Sequence, residues 1–161
     1  MIETEALLHI ACEAEEAGDY ARAREGYARC ADLGDITGLT NLAYMHDTGL
    51  GAPPDKDEAM RLYRQAWRKA RSTVAANNIA ILYRERGDYR AMVRWFARCA
   101  AEGDDSACLQ LAKCYLEGVG VRRSVDAAVR CLAKVLSSDN VYEDDVEQAQ
   151  ALMEQFRLRL A

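Results

Sequence analysis

We expect this chain to form an all-α fold, a right-handed α/α superhelical solenoid of about four helix hairpins plus a C-terminal capping helix. Three observations predict it. Half of the 161 residues are hydrophobic and only two are proline, a composition that favours helices. Apolar residues recur at intervals of three and four, which is the period of a helix. The chain also repeats itself, as solenoid proteins do.

The repeat has a period of 69 residues. Sliding the chain by that amount places residues 18–70 on residues 87–139, with 16 identities in 53 pairs. Gly18-Asp19-Tyr20 falls on Gly87-Asp88-Tyr89, and both glycines of the loop GLGAPPD have counterparts in GVGVRRS. The glycine-rich loop is therefore one copy of a recurring part.

Each block divides into two helical hairpins. We predict one domain over residues 1–161, with hairpins at about 3–34, 36–70, 72–104 and 105–138 and a capping helix at about 142–160. The predicted helices span residues 3–17, 20–33, 37–48, 56–70, 73–86, 89–102, 106–117, 125–136 and 143–159.

Local signals mark several helix ends. Asp55 and Glu58 have the spacing of a capping box, and the prolines before Asp55 block continuation of the preceding helix. Gly49 and Gly118 stand where a left-handed cap favours glycine. One alanine in each hairpin follows a large apolar residue, which permits close helix approach. These alanines are Ala11, Ala43, Ala80 and Ala112.

The stretches NLAYMHDTGLGAPPDKDEAMRLYRQA and QLAKCYLEGVGVRRSVDAAVRCLAKV resemble SEL-1-like repeats. The alternate units, GDYARAREGYARCADLGD and GDYRAMVRWFARCAAEGD, have the shorter loop of tetratricopeptide repeats. The resemblance spans nearly the whole chain and implies an α/α superhelix. Two departures stand out: alanine replaces the family glycine after the leucine in every unit, and His46 and Ala14 stand where tyrosine is usual.

Charge is unevenly distributed around a net value of -5. Residues 1–35 carry nine acids and three bases, whereas residues 56–98 carry eleven bases and four acids. Solvated helix faces are the simpler explanation for the basic stretch, with contact to nucleic acid or to an acidic partner as alternatives. The acidic start lacks the basic region of a secretory signal, and no apolar run is long enough to cross a bilayer. We therefore expect a cytoplasmic protein without membrane partners.

Catalytic chemistry has little support in the sequence. His9 and His46 are the only histidines, and His46 aligns with Tyr115, so we expect it to pack within its own hairpin. The glycine-rich loop lacks the preceding strand and the Gly-Lys-Ser/Thr of a phosphate-binding loop. We expect no enzyme activity, cofactor or metal.

Six cysteines could form disulfides, and some secreted relatives of the resembled family are bridged between adjacent hairpins. Cys99 and Cys108 are separated by nine positions here, whereas the family's bridged pattern has eight. No CxxC spacing exists for zinc or redox chemistry. We therefore expect reduced thiols that pack as small apolar side chains.

The resemblance implies a partner-binding surface. Such hairpins place their first helices on the concave side, where the residue before each Leu/Ile-Ala pair projects into the groove. Three of these residues are carboxamides, which can bind the backbone of an extended peptide. Residues three positions further on share the face and would give selectivity. The predicted site is His9, Asn41, Tyr44, Asn78, Ile81, Gln110 and Lys113.

The functional hypothesis is a non-catalytic protein-interaction scaffold or adaptor for a protein or extended peptide. One alternative is an inhibitor or immunity-type protein that blocks an enzyme or toxin. Less favoured alternatives are a hydrolase, as proposed for some bridged secreted relatives, and a nucleic-acid binder.

The last segment, about residues 142–160, is predicted to form a capping helix. Val146, Ala149, Leu152, Met153 and Phe156 form one apolar stripe behind an acidic first turn. We expect this stripe to cover the exposed end of the last hairpin.

Overall fold

The structure, a computed structural model, describes residues 2–156 apart from the side chain of residue 2. Those residues form nine α-helices and no strand. The helices are α1 (Ile2–Glu16), α2 (Tyr20–Asp32), α3 (Ile36–Thr48), α4 (Lys56–Ala70), α5 (Thr73–Glu85), α6 (Tyr89–Ala101), α7 (Ser106–Glu117), α8 (Val125–Leu136) and α9 (Glu143–Gln155). The predicted all-α repeat fold is confirmed.

Predicted and observed helix ends agree within a residue or two, except at the C-terminus. The apolar stripe predicted a ninth helix to residue 159, but α9 ends at Gln155. Phe156 closes it by donating its backbone N–H to the carbonyl oxygen of Leu152. Residues 157–159 of the predicted helix lie outside the described residues.

The chain divides into two compact units, Met1–Asn78 and Ile79–Ala161, with the division inside α5. In the first unit α2 packs against both α1 and α3, and α3 packs against α4. In the second unit α7 packs against α6 and α8, and α9 packs against α7 and α8. The single domain with four hairpins stays a prediction.

The second helix of each predicted hairpin follows one scheme. Each starts from a side-chain cap that accepts a hydrogen bond from a backbone N–H three residues on, which satisfies a donor that the helix leaves free. The residue eight positions after each cap is buried, and the residue eleven positions after it is fully buried. The first set is Tyr27, Tyr63, Phe96 and Leu132; the second is Cys30, Ala66, Cys99 and Val135.

The four alanines predicted at close helix contacts all have zero exposure. Ala11 shows why a small residue is needed there. A Cβ added to Gly26 of α2 would lie 2.7 Å from the Cβ of Ala11 on α1, closer than non-bonded carbon atoms approach in proteins. The backbones of α1 and α2 therefore meet where both side chains are minimal.

The glycine-rich loops do more than extend a connection. Gly49 and Gly118 adopt the left-handed conformation that ends α3 and α7, with φ of 78° and 75°, as predicted. The second glycine of each loop lies against the start of the preceding second helix. A Cβ on Gly51 would lie 2.7 Å from the Cβ of Tyr20, and a Cβ on Gly120 would lie 2.2 Å from the carbonyl oxygen of Tyr89.

The capping box predicted at α4 forms only in part. The backbone N–H of Glu58 donates to Asp55 Oδ1 over 2.9 Å, which is the expected cap. The Glu58 carboxylate does not return to the Asp55 N–H, because it accepts two hydrogen bonds from Arg61 at 2.6 and 2.7 Å. The Asp55 N–H instead donates to the carbonyl oxygen of His46 at the end of α3.

The predicted cap is confirmed. Ala149 of α9 is fully buried in one cluster with α7 and α8, which includes Leu109 and Leu132. Leu152, Met153 and Phe156 pack against the same cluster. Val146, the other member of the predicted stripe, is half-buried and lies outside that cluster.

Candidate partner-binding site

The predicted site residues lie on α1, α3, α5 and α7, the first helices of the predicted hairpins. In the first unit, His9 is exposed and its Nε2 lies 3.3 Å from Glu13 Oε1, one turn further along α1. Asn41 is half-buried on α3, and Tyr44 is 47% exposed one turn further on. Asn78 is half-buried on α5. That these side chains share one surface stays a prediction.

In the second unit, two predicted residues do come together. Gln110 and Lys113 of α7 line one cleft of about 190 Å³. The cleft also has apolar walls from Met92 and Phe96 of α6, both of which are almost fully buried. Ile81, the remaining predicted residue, is half-buried on α5 and is not among the residues that line the cleft. The geometry therefore places an amide and an ammonium group beside an apolar surface.

The charges at this cleft are mixed. Arg84 of α5 lines it and makes no hydrogen bond or ion pair with any described residue. The Lys113 ammonium donates a hydrogen bond to Gln148 Oε1 of α9 over 2.8 Å. Because the amide is uncharged, this hydrogen bond does not neutralise the positive charge of Lys113. Glu117 supplies one carboxylate, and burial raises the pKa of the Cys114 thiol, which keeps it neutral. The cleft therefore has two cationic side chains, Arg84 and Lys113, and one anionic side chain, Glu117.

The sequence analysis predicted two of the nine lining residues and missed seven, among them Arg84 and Tyr89. The sequence could have predicted Arg84, because it lies three positions after Ile81 on α5 and so shares that face of the helix. The sequence evidence for Tyr89 was weaker: it is the last residue of the repeated Gly-Asp-Tyr motif. In the structure its side chain is 46% exposed. Its place in the cleft depends on the packing of α6 against α7, which local periodicity does not define.

His46 makes one contact beyond those expected. Its ring is half-buried but reaches beyond its own hairpin, because a terminal nitrogen of Arg24 on α2 lies 3.0 Å from the imidazole nitrogens. Burial and the nearby Arg24 charge lower the pKa of His46, so the ring is neutral near pH 7 and can accept a hydrogen bond from Arg24. Glu58, Asp55 and Arg61 of the same predicted hairpin also act on the imidazole, so the contact with Arg24 is an addition that the sequence did not predict.

All six cysteines carry free thiols in the structure. Cys30, Cys99, Cys108 and Cys114 are buried, and the other two are half-buried. Burial raises the pKa of four of the six, Cys30, Cys108, Cys114 and Cys131. Such thiols are poor nucleophiles and pack as small apolar side chains.

Among the side chains that the structure describes, no group of three or more His, Cys, Asp or Glu residues is arranged to hold a metal ion. No helix within residues 2–156 has the length and apolar character needed to span a membrane.

The paired helices, the repeated buried positions and the amide-bearing cleft define an α-helical repeat protein. The Sel1 repeat family model matches residues 37–69 and 105–135. These segments contain the two stretches with long glycine loops, and the resemblance inferred from their motifs is confirmed.

Several solved structures share this fold. A Sel1 repeat protein from Oxalobacter formigenes aligns over 94% of this chain and 62% of its own, with 23% identity and a TM-score of 0.77. The protein c5321, a protective antigen present in uropathogenic Escherichia coli strains that displays an SLR fold, aligns over 98% of this chain and 35% of its own, with 21% identity and a TM-score of 0.76.

A tetratricopeptide repeat protein from Parabacteroides merdae aligns over 98% of this chain and 61% of its own, with 18% identity and a TM-score of 0.68. The chain thus spans less than two thirds of each of these three proteins, and the likeness concerns the fold alone. No curated protein sequence matches the chain.

Proposed function

We propose that this chain is a non-catalytic scaffold or adaptor that binds a protein or extended peptide through the first helices of its hairpins. Sel1 and tetratricopeptide-like repeat proteins generally mediate protein–protein interactions, which supports the general role. The proposed contact residues are His9, Asn41, Tyr44, Asn78, Ile81, Gln110 and Lys113.

The observation that carries the proposal is the cleft beside Gln110 and Lys113. A carboxamide both donates and accepts hydrogen bonds, so Gln110 suits the alternating N–H and C=O groups of an extended backbone. The walls formed by Met92 and Phe96 suit an apolar side chain of the same peptide. A volume of about 190 Å³ accommodates a side chain and excludes a folded element.

The proposed site is tested by capturing partners on the immobilised protein, identifying them by mass spectrometry, and measuring the affinity of the chief one. The test variant combines Asn41→Ala, Asn78→Ala and Gln110→Ala. Truncating residues that carry binding energy costs about 1–2 kcal/mol each, so we expect affinity to fall by at least about tenfold.

The matched control removes three amides elsewhere: Asn140→Ala, Gln150→Ala and Gln155→Ala, all at exposed positions. It should bind as the parent protein does. Equal affinity of parent and test variant, with the thermal transition of the test variant intact, would exclude the proposed row as the binding surface.

A further inference from the structure

A second surface of the Ile79–Ala161 unit is strongly basic. Arg90, Arg94 and Arg98 are exposed on α6 and spaced four residues apart, which brings them to one side of the helix at intervals of about 6 Å. Arg122 follows in the glycine-rich loop and shares with Arg90 an open pocket of about 420 Å³. We call these four residues the arginine ridge; none of them lines the cleft beside Gln110.

The arginine ridge has no internal acidic partner. Helix α6 contains no Asp or Glu, and none of the four guanidinium groups forms an ion pair with a described residue. Arg98 instead lies over the ring of Trp95, with its Cζ 4.5 Å from the ring centre. The four arginines are therefore exposed and make no ion pair with a described carboxylate.

The internal repeat shows that the fold does not need these arginines. The 69-residue shift places them on Ala21, Glu25, Arg29 and Pro53, in that order. At the aligned positions, the corresponding helix of the first block has an alanine and the oppositely charged Glu25 and Arg29, and the aligned loop position is an uncharged proline. The same hairpin forms with or without the basic row, so stability of the hairpin does not explain it.

We propose that the arginine ridge binds an acidic helix of a partner protein, with carboxylates at intervals of four residues. Guanidinium groups bind carboxylates through paired hydrogen bonds, and the spacing of about 6 Å along α6 matches that of Glu or Asp side chains on a facing helix. The glycines Gly118 and Gly120 leave the pocket between Arg90 and Arg122 open to a carboxylate side chain.

A protein helix fits this surface better than a nucleic acid does. The chain has a net charge of -5, so its overall field opposes approach of a polyanion whose charge extends well beyond the ridge. A helix with a few carboxylates makes short-range contacts at the ridge and presents little charge elsewhere. This proposal goes beyond the binding site assigned to the first helices, and it involves different residues.

The test uses two fluorescent helical peptides of identical composition. One carries glutamates every fourth residue along one face, and the other distributes the same glutamates around the helix. Binding of both, and of a single-stranded polyuridine oligonucleotide, is measured by anisotropy on the full chain. The variant is Arg90→Gln/Arg94→Gln/Arg122→Gln, which spares the packing of Arg98 on Trp95.

The matched control, Arg22→Gln/Arg29→Gln/Arg68→Gln, removes the same charge from exposed positions elsewhere. We expect the one-face peptide to bind more tightly than its isomer, to lose at least about tenfold in affinity in the ridge variant, and to change less than about twofold in the control. The ridge variant should keep the thermal transition of the parent protein.

Four results would overturn the proposal: no binding of the one-face peptide, equal binding of both peptides, equal weakening in the ridge and control variants, or tighter binding of polyuridine than of either peptide. Substitution of the amide row leaves the arginine ridge intact, so failure of one surface is distinguishable from failure of the other.

Discussion

At the scale of single residues, two equivalent tyrosines differ in their hydrogen bonding. Tyr27 and Tyr63 each lie eight positions after a helix cap and are fully buried. The Tyr27 hydroxyl donates to Glu15 Oε2 over 2.5 Å, whereas the buried Tyr63 hydroxyl has no hydrogen-bond partner in the described structure. Burial raises the pKa of both phenols. The same position holds Phe96 in α6, so the fold accepts a ring without a hydroxyl.

We therefore expect opposite outcomes from the same substitution. Tyr27→Phe removes a hydrogen bond to a carboxylate and should lower the free energy of unfolding by about 1.5 kcal/mol. The Tyr63 hydroxyl loses its hydrogen bonds to water on folding and forms none within the described structure. Tyr63→Phe removes this unsatisfied group, so it should leave the free energy of unfolding unchanged or raise it by up to about 1 kcal/mol. Urea denaturation of the two variants measures the difference, and equal losses would contradict the assigned hydrogen bonding.

His46 makes stability depend on pH. Burial and Arg24 lower its pKa in the folded protein, with Glu58 and Asp55 opposing the shift and Arg61 adding to it. The unfolded chain then binds a proton more readily than the folded one, so this contribution is present above the unfolded pKa of about 6.5 and is lost as pH falls towards the folded pKa.

The His46→Gln variant should accordingly lose less stability between about pH 7.5 and pH 5.5 than the parent protein does. The urea midpoint at each pH is the measurement. His9→Gln is the matched control, since His9 is exposed and its Nε2 lies 3.3 Å from Glu13 Oε1 on the same helix, and it should follow the parent curve. A parent-like slope in His46→Gln would show that His46 does not carry the dependence.

At the scale of helices and loops, the second glycine of each long loop fixes how that loop meets a helix. The contact is tightest at Gly120, where an added Cβ meets the backbone of Tyr89 and φ is 71°. Gly103 is a natural control, because its φ of 93° is equally unfavourable for other residues but nothing lies within 4 Å of an added Cβ.

Gly120→Ala should therefore destabilise the protein by more than about 2 kcal/mol, since it adds a backbone clash to the left-handed strain. Gly103→Ala carries the strain alone and should cost about 1 kcal/mol. Denaturation midpoints compare the two. Equal costs would mean that the loop moves away from α6 without penalty.

Elements of this kind also show what the sequence can predict. Helix ends, left-handed glycines and the side-chain cap at Asp55 follow from neighbours a few residues apart, and the prediction was correct for them. The contact of Gly120 with Tyr89 joins residues 31 positions apart in the printed sequence, so local rules could not give it. The same holds for the second half of the capping box, because Arg61 competes for the Glu58 carboxylate.

Polar contacts between helices were harder still to predict, because the two blocks differ there. The first unit has an Arg24–His46 contact and a Lys56–Asp47 ion pair, with Asp47 almost fully buried. The aligned residues of the second block are Val93, Tyr115, Val125 and Leu116, in that order. The repeat therefore specifies a contact position without its chemistry. For the same reason, alignment of His46 with Tyr115 did not predict its contact with Arg24.

At the scale of the whole molecule, the repeat scheme explains why the last helix is needed. In the second unit, α7 and α8 pack against each other and share one buried cluster with α9, so without α9 that apolar face would meet water. Helix α9 covers that face with one fully buried alanine and three half-buried apolar side chains. The apolar stripe made this cover predictable, because a cap needs only one correctly spaced face.

The cap can be tested without truncating the chain, by placing a charge on either side of α9. Ala149 has zero exposure and Ala151 is exposed, so Ala149→Asp and Ala151→Asp share the same helix and the same change of side chain. Ala149→Asp buries an unpaired carboxylate among leucines and should cost at least about 3 kcal/mol, whereas Ala151→Asp should cost about 0.5 kcal/mol in helix propensity.

Deletion of residues 141–161 should have the larger effect, with aggregation or loss of a cooperative thermal transition, because it uncovers Leu109 and Leu132 together. Light scattering and calorimetry of the three variants form the comparison. A deleted chain that stays monomeric and melts as the parent does would show that the α7–α8 face needs no cover. Similar costs for the two aspartates would show that α9 does not hold its apolar side against that face.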